Sequence, residues 1–127
     1  MALILDTNAL SAFADGDPDL RRMIAYETDF AIPSIVLGEY LFGVRESRHK
    51  SRYESWLRTN ASVFLMLAVQ PSTAAHYAEI RSELKAVGRP IPTNDLWIAA
   101  LAREHRSPLV TRDKHFGAVR GLQVLGW

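Results

Sequence analysis

The sequence contains no cysteine. A protein without cysteine has no disulfide, no thiolate-bound zinc, no iron–sulfur cluster and no cysteine nucleophile. Its four histidines lack the H-x-H and H-E-x-x-H spacings that are typical of zinc sites. A reducing compartment suits such a chain, and we therefore expect a cytoplasmic protein.

Long apolar segments are also missing. The longest wholly apolar runs, residues 63–69 and 96–102, have seven residues each, whereas a membrane-spanning helix needs about 20. The first residues lack the charged start and the length of a signal peptide. We expect neither a membrane association nor a secretory signal.

The chain has the size of one domain, residues 1–127, and its 48% hydrophobic residues are enough for a buried core. The net charge of +1 hides an asymmetry, because residues 1–39 carry −5 and residues 40–127 carry +6. A basic segment follows residue 44 and indicates either an RNA-guiding surface or an ordinary solvated helix face. Its members are Arg45, Arg48, Lys50, Arg52 and Arg58.

Apolar runs alternate with segments of helical periodicity. This alternation predicts an α/β fold with a mainly parallel sheet that is covered on both faces, and it places ligands outside the carboxyl ends of the strands. Strands are predicted at residues 2–5, 30–32, 64–69, 109–111 and 121–125. Helices are predicted at residues 18–26, 33–45, 47–59, 72–87 and 93–105.

Two acidic residues stand at predicted strand ends. Asp6 ends the first strand, and Asp113 follows the fourth strand after Thr111 and Arg112. Both carboxylates should emerge at the carboxyl edge of the sheet. Each also has an ordinary alternative role, because an acid after a strand often caps the next helix.

Two further acidic residues have apolar helical neighbours. Glu39 is flanked by Val36 and Phe42 at helical spacing, and Asp95 precedes an apolar face that includes Ile98. We expect both carboxylates to point inward. The alternatives are a buried ion pair for Glu39 and complementation of the helix dipole for Asp95. Gly38 and Gly43 in the same helix as Glu39 suggest a close backbone approach or a kink.

Four carboxylates at one edge would repel one another as bare anions. A hard divalent cation, Mg²⁺ or Mn²⁺, resolves this conflict because it takes oxygen ligands and can activate water for attack on a phosphoryl group. Asn8 and Thr111 are placed to orient the carboxylates. Arg112 and Lys114 flank Asp113 and are candidates for contacts to the substrate, although Arg112 could instead pair with a carboxylate.

Four segments carry a family resemblance: Leu5–Leu10, Ser34–Gly43, Pro92–Ala100 and Thr111–Phe116. In length and order they resemble the motifs of PIN domains, in particular the VapC-type ribonuclease toxins of toxin–antitoxin pairs. The resemblance implies a three-layer domain with a five-stranded sheet in the order 3-2-1-4-5. It also implies Mg²⁺- or Mn²⁺-dependent hydrolysis of RNA that leaves a 5′ phosphate and arrests translation.

The same resemblance implies roles and partners. Asp6 and Asp95 would bind metal directly, Asp113 would assist or bind a second ion, and Glu39 would position or deprotonate the attacking water. The partners would be RNA, a second copy of the chain, and a VapB-like antitoxin that supplies any DNA binding.

Two other interpretations stay open at this point. In a phosphatase of the haloacid dehalogenase type, the position two residues after the first aspartate is a second aspartate, but here it is Asn8. A non-catalytic PIN-like or receiver-like module would bind partners without cleaving RNA. Receivers cluster their acids at the first strand, whereas this chain spreads them over four elements.

Overall fold

A five-stranded parallel sheet forms the centre of the protein. The computed structural model describes residues 2–127. Its strands are β1 (Leu3–Leu5), β2 (Phe30–Pro33), β3 (Phe64–Leu67), β4 (Leu109–Val110) and β5 (Val124–Leu125). They lie in the order β3-β2-β1-β4-β5, and each neighbouring pair is parallel. The predicted α/β class and strand order are confirmed.

Six α-helices connect and cover the strands. They are α1 (Thr7–Asp15), α2 (Pro18–Met23), α3 (Ser34–Arg45), α4 (Lys50–Asn60), α5 (Pro71–Ala86) and α6 (Thr93–His105). Short 3₁₀ turns at Ala61–Val63 and Lys114–Ala118 precede β3 and β5. Within residues 2–127, no helix combines the length and the apolar character needed to cross a membrane.

The central strand β1 shows why both faces of the sheet must be covered. Leu3, Ile4 and Leu5 are all buried, although successive side chains of a strand point to opposite faces. Only a sheet with packed layers on both sides can exclude water from all three side chains. The uninterrupted apolar start of the sequence therefore predicted the position of β1 correctly.

Several predicted boundaries were wrong by a few residues. The helix predicted for 18–26 ends at Met23, because Ile24 turns into the core. The helix predicted for 47–59 starts at Lys50, because the Ser47 hydroxyl accepts a hydrogen bond from the His49 N–H and holds a turn there. At the last strand, Gly121 has a φ of +70°, so the extended backbone is confined to β5.

The two glycines of α3 do not mark a close approach. A Cβ placed on Gly38 or Gly43 would meet no atom within 4 Å. The predicted close backbone contact is therefore absent at both positions, and each glycine faces open space.

An acid–hydroxyl cluster ties the start of α5 to the end of α6. The Glu104 carboxylate accepts hydrogen bonds from Ser72 and from the buried Thr73, the latter at 2.5 Å. Burial raises the pKa of Glu104, but the two hydroxyl bonds and the nearby His105 and His76 outweigh it, so the pKa lies below its usual 4.5. The ionised form therefore contributes to the stability of the fold.

We expect Glu104→Gln to lower the free energy of unfolding by about 1–2 kcal/mol at pH 7, because two hydrogen bonds to a charged acceptor become neutral ones. A depressed pKa in the folded state means that this contribution is complete above the unfolded pKa and lost as pH falls through the folded one. Urea unfolding of the two proteins should therefore differ at pH 7 and converge only when the pH falls below the folded-state pKa of Glu104, which lies under 4.5. Glu79→Gln, an exposed change on α5, serves as the control and should match the wild type throughout.

Candidate active site

The Asp6 side chain lies at the carboxyl end of the central strand. Leu5 of β1 pairs with Val110 of β4, so the next residues, Asp6 and Thr111, are neighbours at the edge of the sheet. Asp6 is only 4% exposed. Its carboxylate accepts a 2.7 Å hydrogen bond from the Thr111 hydroxyl and a 2.8 Å bond from the Thr7 N–H. Asp6 also caps α1. The role as a helix cap and the predicted role in the site therefore belong to the same side chain.

The Thr111 hydroxyl connects two of the acidic residues. Besides donating to Asp6, its oxygen accepts hydrogen bonds from the Asn8 amide at 3.3 Å and from the Asp113 N–H at 3.0 Å. The side-chain oxygen Oδ1 of Asn8 in turn accepts a hydrogen bond from the backbone N–H of Arg112 at 3.2 Å. Asn8 and Thr111 thus hold the loop after β4 against the start of α1.

Asp95 and Asp113 meet at His115. The Nδ1 atom of His115 lies 2.9 Å from Asp95 Oδ2 and 3.0 Å from Asp113 Oδ1. Asp95 reaches this point from the first turn of α6, and its side chain is 14% exposed. Asp113 caps the following 3₁₀ turn by accepting from the His115 N–H at 2.9 Å. The side chains of α6 and of the loop after β4 thus converge at one point.

Glu39 joins the group from the solvent side. The prediction that its carboxylate points inward was wrong, because Glu39 is exposed. Its neighbours Phe42 and Gly43 on α3 are exposed as well, so their apolar character did not indicate a buried face. The carboxylate nevertheless lies beside Asp6, since it accepts a 3.1 Å hydrogen bond from the hydroxyl of Thr7, the residue that follows Asp6.

The electrostatics of the cluster oppose full ionisation. Burial raises the pKa of Asp6, the charges of Asp95 and Glu39 raise it further, and the bonds from Thr111 and Thr7 only partly offset them. Burial also raises the pKa of Asp95; the bond to His115 opposes this, and the charge of Asp113 adds to it. The hydrogen bond to Asp95 and the charge of Asp113 raise the pKa of His115. A cation near these carboxylates would remove the repulsion.

The donor set fits such a cation. Asp95, Asp113 and His115 each offer one ligand atom, and these atoms lie within 4.8 Å of one another. Asp6 is linked to the same group through Thr111. Carboxylate oxygens that outnumber nitrogen donors suit Mg²⁺ or Mn²⁺ better than softer metals. The imidazole of His115 lies between the two carboxylates.

Arg112 and Lys114 have different surroundings. The Arg112 guanidinium lies 4.4 Å from the centre of the Trp127 ring, and its Nε donates to the Trp127 carbonyl at 3.0 Å. Among the contacts of residues 2–127, this side chain is joined to Trp127 and not to the four acids. Lys114 is exposed directly after Asp113, so of the two it is the better candidate for an RNA phosphate.

His115 and Thr7 were not among the site residues predicted from the sequence. The spacing of His115 two residues after Asp113 was the available signal, but only the 3₁₀ turn brings its ring back towards Asp95. Thr7 follows the first acid directly, yet the contact of its hydroxyl depends on the packing of α1 against α3. Neither contact follows from the periodicity of a single segment.

Comparisons with known proteins point to one family. The family model for the PIN domain matches residues 3–122. Ribonuclease VapC2 of Rickettsia felis is 32% identical over 132 residues, which covers 100% of this chain and 98% of that protein. The tRNA(fMet)-specific endonuclease VapC of Shigella flexneri is 31% identical over 130 residues, with the same two coverages.

A solved structure shows the same fold. The chain superimposes with a TM-score of 0.87 and 30% identity on a chain from the crystal structure of VapBC2 from Rickettsia felis, which is bound to a DNA fragment from the promoter. The match covers 100% of this chain and 99% of that one. The protein belongs to the PIN-domain family and, within it, to the VapC ribonucleases.

Proposed function

We propose that this protein is a Mg²⁺- or Mn²⁺-dependent endoribonuclease toxin that arrests translation and is neutralised by a VapB-like antitoxin. The observation that carries the proposal is the convergence of Asp6, Glu39, Asp95 and Asp113, which come from four different elements, at the carboxyl edge of the sheet. The relatives are named ribonucleases or an endonuclease, and the same reaction class fits this cluster. We place the activity in the cytoplasm, where the RNA is.

Roles follow from the surroundings of each acid. Asp6 and Asp95 would hold the metal, with Asp113 assisting, and a bound divalent cation supplies an activated water and neutralises charge on the phosphoryl group. The Thr7 N–H donates to Oδ1 of Asp6, and Thr111 and Asn8 donate to Oδ2, so a lone pair of Oδ1 remains for a cation. The exposed Glu39 would orient the attacking water or accept the proton of that water. The Thr7 hydroxyl holds the Glu39 carboxylate in position by donating a hydrogen bond to it.

Protein partners are proposed on two grounds. The structural neighbour is a VapBC complex, and α3 exposes Leu41 and Phe42, at 40% and 66%, as an apolar surface. A VapB-like antitoxin and a second copy of the chain are the partners that we assign. DNA binding would come from the antitoxin, since the described part of this chain offers no separate DNA-reading element.

The non-catalytic alternatives are less consistent with these observations. A module that only binds partners has no need of carboxylates whose pKa values are raised by burial and by one another. The dehalogenase-type alternative needs a second aspartate at the position of Asn8, and that side chain instead donates its amide N–H to Thr111.

We expect Asp6→Asn to lower the rate of RNA cleavage by at least about 100-fold, because one of the proposed ligands loses its charge. The measurement is the rate at which purified protein cleaves RNA with Mn²⁺, followed by sequencing of the 5′ ends. Asp29→Asn is the matched control, since Asp29 is exposed directly before β2, at the opposite end of the sheet from Asp6. A fully active and folded Asp6→Asn protein would contradict the assignment.

Metal binding has a thermal signature that is independent of activity. We expect Mn²⁺ to raise the melting temperature of the wild type. At a free Mn²⁺ concentration of 100 times the dissociation constant, binding adds about 2.7 kcal/mol to the free energy of unfolding. Asp95→Asn should melt no lower than the wild type in chelator, because the raised pKa of Asp95 means that its charge destabilises the metal-free fold at neutral pH. The same variant should show little response to Mn²⁺. An equal response in both proteins would exclude Asp95 as a ligand.

Lys114 should act on substrate binding through its charge. We expect Lys114→Glu to raise KM for RNA at low salt and to reduce the slope of log KM against log salt by about 0.7, the value for one phosphate contact on a single strand. Lys85→Glu makes the same change in net charge on the exposed surface of α5. If both variants had the same effect, the contribution of Lys114 would be one of net charge alone.

A further inference from the structure

A small cleft adjoins the acidic cluster. It lies between α1, α3 and the start of α4, and its volume is about 230 Å³. Thr7 and Glu39 belong both to this cleft and to the acidic cluster, while Asp15 and Tyr53 also line it. A molecule bound in the cleft is therefore next to the position of the cleaved bond.

The charged groups of the cleft are hydrogen-bond acceptors. Carboxylates come from Asp15 and Glu39, and Ser11 and Ser47 add hydroxyls. No lysine or arginine is among the described residues that line it. A phosphate would be repelled by these carboxylates, whereas a neutral group with N–H donors matches them.

The Asp15 carboxylate is held in a fixed orientation. Its Oδ1 atom accepts a 2.8 Å hydrogen bond from the Tyr53 hydroxyl and lies 3.9 Å from an Arg52 nitrogen. Arg52 also donates to the Tyr53 oxygen at 3.0 Å. Both contacts use Oδ1, and in the part of the chain that is described Oδ2 takes part in no hydrogen bond. The second oxygen remains available to a ligand.

The cleft also contains a polar group without a partner. Tyr40 is 4% exposed, and its hydroxyl has no hydrogen bond to any of residues 2–127. A buried hydroxyl without a partner costs about 1–3 kcal/mol, and such groups in native proteins call for an explanation. Tyr40 lines the cleft, so its unpartnered hydroxyl would gain a partner only if a ligand or a water reached the buried oxygen below the cleft surface.

On the basis of the proposed ribonuclease function, we propose that this cleft binds the base of a nucleotide next to the cleaved phosphodiester, with a preference for guanine. The volume lies below the range of about 300–1,000 Å³ for drug-sized ligands and suits one planar base. Guanine presents the adjacent donors N1–H and N2–H₂, which match the two acceptor oxygens of a carboxylate. The half-buried ring of Tyr53 is the aromatic group available to the face of the base, while Tyr40 and Val44 contribute only the small apolar surface that they expose to the cleft.

Two glycines of α3 provide a matched test. Gly43 lines the cleft and Gly38 lies outside it, and a Cβ atom at either position meets no atom within 4 Å. Gly43→Leu should therefore fill the cleft, and Gly38→Leu should not. Each replaces a helical glycine, which favours the fold. Each protein is given a pool of short random-sequence oligoribonucleotides with Mn²⁺, and the cleavage products are sequenced.

The wild type and Gly38→Leu should favour guanine at one position within two nucleotides of the cut. Gly43→Leu should still cleave but lose this preference and raise KM about fivefold or more, the equivalent of one base contact of about 1–3 kcal/mol. An unchanged cleavage profile in Gly43→Leu would overturn the proposal, even if the variant resisted inhibition by an antitoxin peptide. The Asp6→Asn variant tests the ribonuclease function separately, through loss of cleavage. A failure of the ribonuclease proposal can therefore be distinguished from a failure of the cleft proposal.

Asp15→Asn tests the same cleft without added bulk. Asparagine keeps an oxygen for the Tyr53 hydroxyl but replaces the free acceptor Oδ2 with a donor. The guanine preference should fall, and bases with an acceptor at that edge should gain. Unaltered base preference in a folded Asp15→Asn protein would refute the role of this carboxylate, and circular dichroism and melting temperature establish the fold of all three variants.

Discussion

The structure depends on one buried carboxylate, that of Asp6, at the end of the central strand. The register of β1 against β4 places it beside Thr111, and the packing on both faces of the sheet removes it from water. Burial of a charge without compensation costs several kcal/mol. Three kinds of compensation converge on it: hydrogen bonds, the helix start that it caps, and a nearby position for a cation. The other three acids lie around this carboxylate.

The hydroxyl of Thr111 connects Asp6 to the neighbouring loop because all of its hydrogen-bonding positions are used. A hydroxyl has one donor and two acceptor positions. Here the donor serves Asp6, and the acceptor positions serve Asn8 and the Asp113 N–H. Threonine also has a restricted χ1, so the oxygen has little freedom to leave this arrangement. Two loops from opposite ends of the sequence are thereby held at a fixed separation before any metal binds.

Sequence patterns were sufficient for the parts of this arrangement that are local. The apolar run before Asp6 and the short apolar strand before Asp113 define strands, and acids after parallel strands meet at one edge. The inward orientation of Glu39 could not be inferred in the same way, because apolar neighbours on α3 were assumed to be buried and Phe42 is not. The contact of His115 with Asp95 depends on a 3₁₀ turn and on the packing of α6, which connect residues 20 positions apart. Contacts between segments that are distant in the sequence determine these side-chain positions, and the pattern of a single segment does not predict such contacts.

The four acids form a gradient from the interior to the solvent, and their proposed roles follow it. Asp6 is buried, Asp95 and Asp113 are partly covered, and Glu39 is exposed. Carboxylates whose ionisation is opposed by burial gain most from a cation, which suits the inner ones to metal binding. An exposed carboxylate can reach water and a long substrate, which suits Glu39 to the attacking water. RNA must therefore approach from the side of Glu39, where the cleft that contains Asp15 begins. The residues that line this cleft include two carboxylates and no lysine or arginine, and the nearby Arg52 is paired with Asp15, which favours a base over the RNA backbone as the part of the substrate bound there.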